Sequence, residues 1–448
     1  MNLVEFFSRA NEMLGIPAAF IFLSAGIILT LKTRFVQFRA LPQLWSFITK
    51  GFGRHEDKEE KTISSFHAMF AAMATSLGMG NIVGPSIAIV MGGPGALFWL
   101  VAYTFFGGVT RFTETSFAMF TRKKTEDGHI ISGPIQYLKL VHKWVANWYA
   151  VVMIIVFAVW SGTQANTLAN ILAKEGVPQW WVGIALAIIV SIVLHGGAKR
   201  VGLVASKLVP FMFILYLLFA LWVLLKDFAA LQGALKLIFS SIFSPAAPLG
   251  AFVGSTVVNA MRAGIFQSIY ITEAGMGTSS IAHSMSDAKK NTDQGLLAMY
   301  SIVADAFLSF LSGLIIIVTG VWCIASKPDS TLIYTAFKQN TPVLGGFILI
   351  VSIALFVTTT VIGNSFNGMQ SFASFTKHKG IEYYKIFTAI MIFLGSIMSM
   401  PLVWQLVGVV ITFVAVPNVV SLVILAFKKP HVLDIHQEKS STIDVLDS

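Results

Sequence analysis

Apolar runs of about 20 residues recur along this 448-residue chain from one end to the other. A run of that length matches the bilayer hydrocarbon, where backbone polar groups must be satisfied within a helix or a closed barrel. Hydrophobic residues make up 56% of the chain and charged residues 12%, a balance that excludes a soluble fold of this size. The expected class is an all-α integral membrane protein with about eleven transmembrane helices. Their predicted spans are 15–32, 63–91, 95–121, 146–173, 180–197, 202–226, 249–281, 295–323, 344–374, 384–400 and 402–427. With Cys323 the lone cysteine, no internal disulfide can form.

The basic residues alternate between loops. Clusters fall at Lys32 to Lys61, Arg122 to Lys124, Lys199 and Arg200, Lys289 and Lys290, Lys377 and Lys379, and Lys428 and Lys429. The intervening loops carry only Lys174, Lys226, Lys236, Lys327 and Lys338. Positive charge holds loops in the cytoplasm, so the pattern predicts an outside N-terminus and a cytoplasmic C-terminus in a multi-pass protein of the cytoplasmic (inner) membrane. The net charge of +10 is thus topology and does not call for nucleic acid. The opening MNLVEFFSRANEML reads as part of an uncleaved first helix, because Lys32, Arg34 and Arg39 follow its apolar run. The short polar tail is expected at the surface or disordered.

Two spans contain glycine where a helix can least spare it. TSLGMGNIVG at 75–84 carries Gly78 and Gly80, and EAGMG at 273–277 follows Gly264. Such stretches read either as unwound turns lining a binding site or as close helix crossings. Their order in the predicted topology favours the first reading. Each opens a set of five spans, and the two run in opposite directions, as inverted repeats do. The organisation predicted is 1–61 (extra helix and basic loop), 62–228 (first repeat), 229–428 (second repeat) and 429–448 (tail).

On its motifs the chain resembles the alanine-or-glycine:cation symporter family. They are TSLGMGNIVG at 75–84, MGGPGALFW at 91–99, RFTE at 111–114, Asp127-Gly128 with Gly133-Pro134, and QAN at 164–166. EAGMG at 273–277 with Ala282-His283, and GLLAM at 295–299 with Asp305, complete the set in family order. The resemblance implies a LeuT-like 5+5 inverted repeat with two broken helices plus one extra N-terminal helix. It also implies symport of a small neutral amino acid, such as alanine (L or D) or glycine, with Na+. Four departures fall around the expected pocket. Met79 replaces a usual Thr, and Gln267-Ser268 a usual Arg-Gly. Ile271-Thr272 stands for Ser-Asn, and Asn364 for a Trp.

An amino-acid carboxylate suits free amides at a helix N-terminus, here Met79, Gly80 and Asn81, while Gly78 permits close backbone approach. The resemblance adds Thr75 and Gln164 to the substrate site, and Tyr270, Thr272, Gly275 and Asn364 as its far wall. Phe356, Thr359 and Thr360 share a helix face whose oxygens suit a hard cation; alternatively, such threonines bond their own helix. In LeuT-like proteins Na+ bridges that face to carbonyls that match Ala74 and Leu77. Arg111 and Glu114 are spaced to pair locally, Asn166 is expected to be structural, and Asp305 to anchor backbone or pair with Arg262. Glu273 or Asp305 as a proton carrier gives the alternative, a proton-coupled permease of the same fold.

No HExxH, GxSxG nucleophile motif or metal cluster points to an enzyme, since His67, His195 and His283 stand isolated, and no pore-lining repeat points to a channel. The expected partners are the amino acid, the sodium ion and the lipid bilayer, with no organic cofactor, nucleic acid or obligate protein partner.

Overall fold

A computed structural model describes residues 3–50, 62–124, 130–243, 257–324, 331–340, 344–398, 400–436 and 444–445. Asp127 and Gly128, the basic loop beyond Lys50, the start of the 249–281 span, Lys327 and much of the tail lie outside the described residues.

Each predicted span contains a helix or a broken pair of helices. Seven stretches of the described residues are long and apolar enough to cross a membrane. They are Glu5–Lys32, Ser65–Gly92, Lys143–Ala173, Gly197–Lys226, Asn291–Val318, Gly345–Thr376 and Gly408–Lys428. Between them lie Gly95–Phe120, Gln179–Leu194, Val257–Thr272 and Ile381–Ile397, which are shorter or carry more polar groups. The first helix begins at Leu3, well before the expected boundary, because the mixed opening residues continue the same helix.

Both predicted breaks exist. The first pair is Ser65–Ser76 and Met79–Gly92, separated by Leu77 and an extended Gly78. The second is Val257–Thr272 and Thr278–His283. Between these, Glu273, Gly275 and Gly277 take φ values of 54°, 95° and 81°. Glycine adopts that region freely, whereas glutamate there costs about 1–2 kcal/mol, so its surroundings must hold it.

Small residues let the helices touch. A Cβ added at Gly162 or Gly395 would meet the backbone of the opposing helix. Beside that crossing, Asn166 Nδ2 donates to the Gly395 and Met398 carbonyls at 2.8 Å, the structural use expected of it. At one end of the bundle Arg122 donates to the Ser286 carbonyl at 2.8 Å and the Ala288 carbonyl at 3.1 Å. At the other, Tyr334 and Lys338 of the Leu332–Asn340 helix both donate to Glu175. Among the described residues of the tail, Val432 and Leu433 are buried, and Asp444–Val445 adds a parallel strand to Lys123–Lys124.

Candidate functional site

The two breaks face each other across a small buried cavity. Its lining includes Thr75, Ser76, Gly78 and Gly80 from the first broken helix, and Tyr270, Ile271 and Glu273 from the second. Trp160 and Gln164 come from Lys143–Ala173, and Thr360 and Asn364 from Leu344–Thr376. A polar cavity at a double helix break supplies what unwound backbone needs in a membrane, namely partners other than lipid.

The first break is built by Gly78 and its neighbours. Asn81 folds back so that its Oδ1 accepts from the Gly78 N–H at 3.0 Å. At its other end Asn81 Nδ2 donates to the Asp305 carbonyl at 3.2 Å and to Asp305 Oδ1 at 3.3 Å. The first-turn amides of Met79 and Gly80 have no acceptor within their own helix by position. Met79 N–H reaches Gln164 Oε1 at 3.4 Å, a long bond. Gly80 faces the Tyr270 ring.

The second break is held from several sides. Glu273 Oε2 accepts from Thr75 Oγ1 at 3.2 Å and from Thr278 Oγ1, which offsets the cost of its left-handed backbone. Glu114 Oε1 accepts from the Gly277 N–H at 2.9 Å. Asn418 Nδ2 donates to Glu114 Oε1 and to the Gly275 carbonyl, both at 2.9 Å. Tyr149 donates to the Met276 carbonyl, and Asn367 Nδ2 to the Thr278 carbonyl at 3.2 Å. The Gly275 and Met276 carbonyls and the Gly277 N–H of the turn therefore each meet a buried side chain.

Not every sequence-predicted residue reaches the cavity. Thr75, Gly78, Gly80, Gln164, Tyr270, Asn364 and Thr360 line it. Met79 buries its side chain in the core, leaving only its amide toward Gln164. Asn81 is spent on capping the break. Thr272 Oγ1 donates to the Ser268 carbonyl at 2.6 Å, and Gly275 faces Phe22 and Val419, on the side of the first and last helices. The left-handed Glu273 turns the chain, so residues on either side of it point away from one another. Ser76 and Trp160 line the cavity unforeseen, and Ile271, noted in the sequence only as a departure from the family pattern, joins them.

Around the proposed cation face, Thr360 Oγ1 donates across helices to the Leu77 carbonyl at 3.3 Å. Thr359 Oγ1 donates to the Leu355 and Phe356 carbonyls of its own helix, at 3.0 and 2.9 Å. Ala74 and Phe356 are buried in the surrounding core. The charged residues depart from the expected pairing. Arg111 does not bond Glu114 but reaches Asp305 Oδ2 at 3.3 Å and Ser301 Oγ at 3.2 Å. Arg262 instead packs beside Gly15. The i, i+3 spacing allowed a local pair, but both side chains found tertiary partners with better access.

Two discontinuous helices meeting at a buried polar cavity, within a bundle of membrane-length helices, define a secondary transporter. A profile of the sodium:alanine symporter family matches residues 1–444. The chain belongs to the sodium:alanine symporter family and is a multi-pass membrane transporter. It is 30% identical to the sodium/alanine symporter AgcS of Methanococcus maripaludis, over 95% of each chain. It is 27% identical to the probable sodium/glutamine symporter GlnT of Bacillus subtilis, over 93% of this chain and 87% of that one. Among solved structures, MhsT in complex with L-phenylalanine matches with a TM-score of 0.58 at 14% identity, covering 86% of this chain and 94% of that one. That likeness gives the chain the LeuT-like fold.

Proposed function

We propose that this transporter carries a small neutral amino acid, alanine or glycine, into the cell together with Na+. Alternating access around the cavity would expose the site to each side in turn. The observation that carries the reading is the Thr360–Leu77 contact beside Gly78, which puts hydroxyl and carbonyl oxygens at the end of a broken helix. Oxygens suit a hard cation. The Na+ ligands proposed are the carbonyls of Ala74, Leu77 and Phe356 with the hydroxyls of Thr359 and Thr360. Thr359 would turn from its own helix to join them.

The substrate carboxylate is assigned to the amides of Met79 and Gly80, where the helix N-terminus favours an anion. Gln164 and Asn364 supply side-chain polarity, and Tyr270 closes the wall. Asn364 Oδ1 is buried without a hydrogen-bond partner among the described residues, which makes it a natural acceptor for the substrate ammonium or a substrate hydroxyl. Names among the relatives range from alanine to glutamine, so the wall around Asn364 is where choice between substrates would be made. The 62–228 and 229–428 halves are proposed as the inverted repeats. The alternating basic loops support an outside N-terminus and a cytoplasmic C-terminus in the inner membrane.

Proton coupling is the second reading, favoured by the Glu273 carboxyl at the cavity wall between the breaks. Uptake of labelled alanine by proteoliposomes separates the two. An inward Na+ gradient at equal pH drives accumulation under the first reading, and only an inward proton gradient does so under the second.

A further inference from the structure

Arg111 and Glu114 sit one turn apart on the Gly95–Phe120 helix, both fully buried, and each leads to a different break. From Arg111 the path runs through Asp305 to Asn81, and from Asn81 to the Gly78 N–H. From Glu114 it runs straight to the Gly277 N–H, and through Asn418 to the Gly275 carbonyl. On the cavity side, Thr75 donates to Glu273, which closes the circuit. The two breaks are therefore joined by two routes, one through the cavity wall and one behind it.

We propose that this single helical turn sets the register between the breaks, with Arg111 and Glu114 as positioning residues that couple the second break to the first, where the proposed Na+ ligands and carboxylate-binding amides lie. The function of the first break rests on the reading above; the coupling is a separate claim. One turn of helix is about 5.4 Å long and rigid, so its two side chains cannot shift independently. Their partners are buried, so a displaced break cannot exchange its bond for one to water and instead leaves a polar group unpaired. The least costly response to movement at Gly277 is movement of the whole turn, which draws on Asp305 and Asn81. Coupling carried this way runs behind the cavity wall, through buried side chains.

Amide deuterium exchange on the full-length protein, read separately for the two breaks, tests the register without any substrate. Asn418→Ala removes the bonds to Glu114 and the Gly275 carbonyl, and one from Tyr137, while the bonds at the first break stay in place. We expect it to speed exchange by about tenfold at both breaks, and Asn81→Ala to do the same from the other side. Glu114→Gln keeps the Oε1 acceptor and should stay close to wild type at both. Acceleration confined to the mutated break overturns the proposal. A second readout is the Na+ concentration that gives half-maximal thermal stabilisation of the purified protein. It should rise about fivefold in Asn418→Ala, although none of the Asn418 hydrogen bonds goes to a proposed Na+ ligand. An unchanged midpoint also overturns the proposal. A wild type indifferent to Na+ counts against the Na+ reading alone, since the exchange pattern still decides the register.

Discussion

The Thr360 hydroxyl donates across 3.3 Å to the carbonyl of Leu77, the residue at which the first leg of the first broken helix ends. Gly78 follows, and a Cβ there would land on that same hydroxyl. The contact needs both the hydroxyl and the absence of a side chain next to it. Thr360→Val keeps the shape and removes the oxygen. It should raise the half-saturating Na+ concentration for alanine uptake by about tenfold, the equivalent of about 1.4 kcal/mol, while Thr360→Ser stays near wild type. An unaltered Na+ curve in Thr360→Val would remove this residue from the cation site.

Asn364 offers a test in which stability and activity move in opposite directions. Its Oδ1 is buried without a hydrogen-bond partner among the described residues, a burden of about 1–3 kcal/mol in the protein alone. Asn364→Leu is close in shape and apolar. It should raise the thermal midpoint of the substrate-free protein and weaken amino-acid uptake by about tenfold or more. Loss of stability together with unchanged uptake would show that the oxygen is satisfied and plays no part in binding.

The buried Arg111–Asp305 pair predicts a large effect from a single change and a smaller one from two. Arg111→Met leaves the Asp305 carboxylate buried without its cation and should destabilise the protein by about 3–5 kcal/mol. Adding Asp305→Asn removes the stranded charge and should recover part of that loss. Thermal melts of the single and double variants in one detergent provide the comparison. A double variant less stable than Arg111→Met would contradict the pairing.

At the end of the bundle carrying Glu175, the pH response should be flat through neutrality. The Tyr334 hydroxyl, and then the Lys338 ammonium, hold the Glu175 carboxyl below its ordinary 4.5. The Tyr334 hydroxyl, and then the Glu175 carboxylate, hold Lys338 above its ordinary 10.5. A lowered acid contributes above its unfolded value and loses that contribution as pH falls through the folded one. A raised base contributes below its unfolded value and loses it as pH rises through the folded one. The contact is thus constant between about pH 5 and 10. Glu175→Gln should leave the shape of the uptake profile unchanged between about pH 5.5 and 9. A shifted midpoint within that window would mean the contact titrates there.

The breaks themselves were readable in the sequence because glycine in a membrane span is costly unless it serves a purpose. Gln164 and Asn364 were readable as polar side chains in apolar helices. The partners of Arg111 and Glu114 were not. The spacing of these two suggested a local pair, yet their bonds span 194 and 163 residues, and nothing in a single sequence marks such a distance. Thr272 and Gly275 were misplaced because a left-handed Glu273 between them changes the direction of the chain, which no periodicity reveals. Asn418 left a faint trace as an amide inside an apolar run beside Pro417. Its role depends on a turn made much earlier in the chain.

That separation bears on how the protein is made. The Gly275 carbonyl receives its Asn418 donor from a residue 143 positions further on. A ribosome making this chain delivers both broken helices to the bilayer long before Asn418 emerges. Until then, the turn at Gly275–Gly277 sits in the membrane without one of its fasteners. The last helix is therefore a keystone of the second break although the cavity lining comes from other helices, and translation sets the order in which that break is completed. A nascent transporter stalled short of residue 418 holds its cavity residues but lacks the bond that fixes the second break.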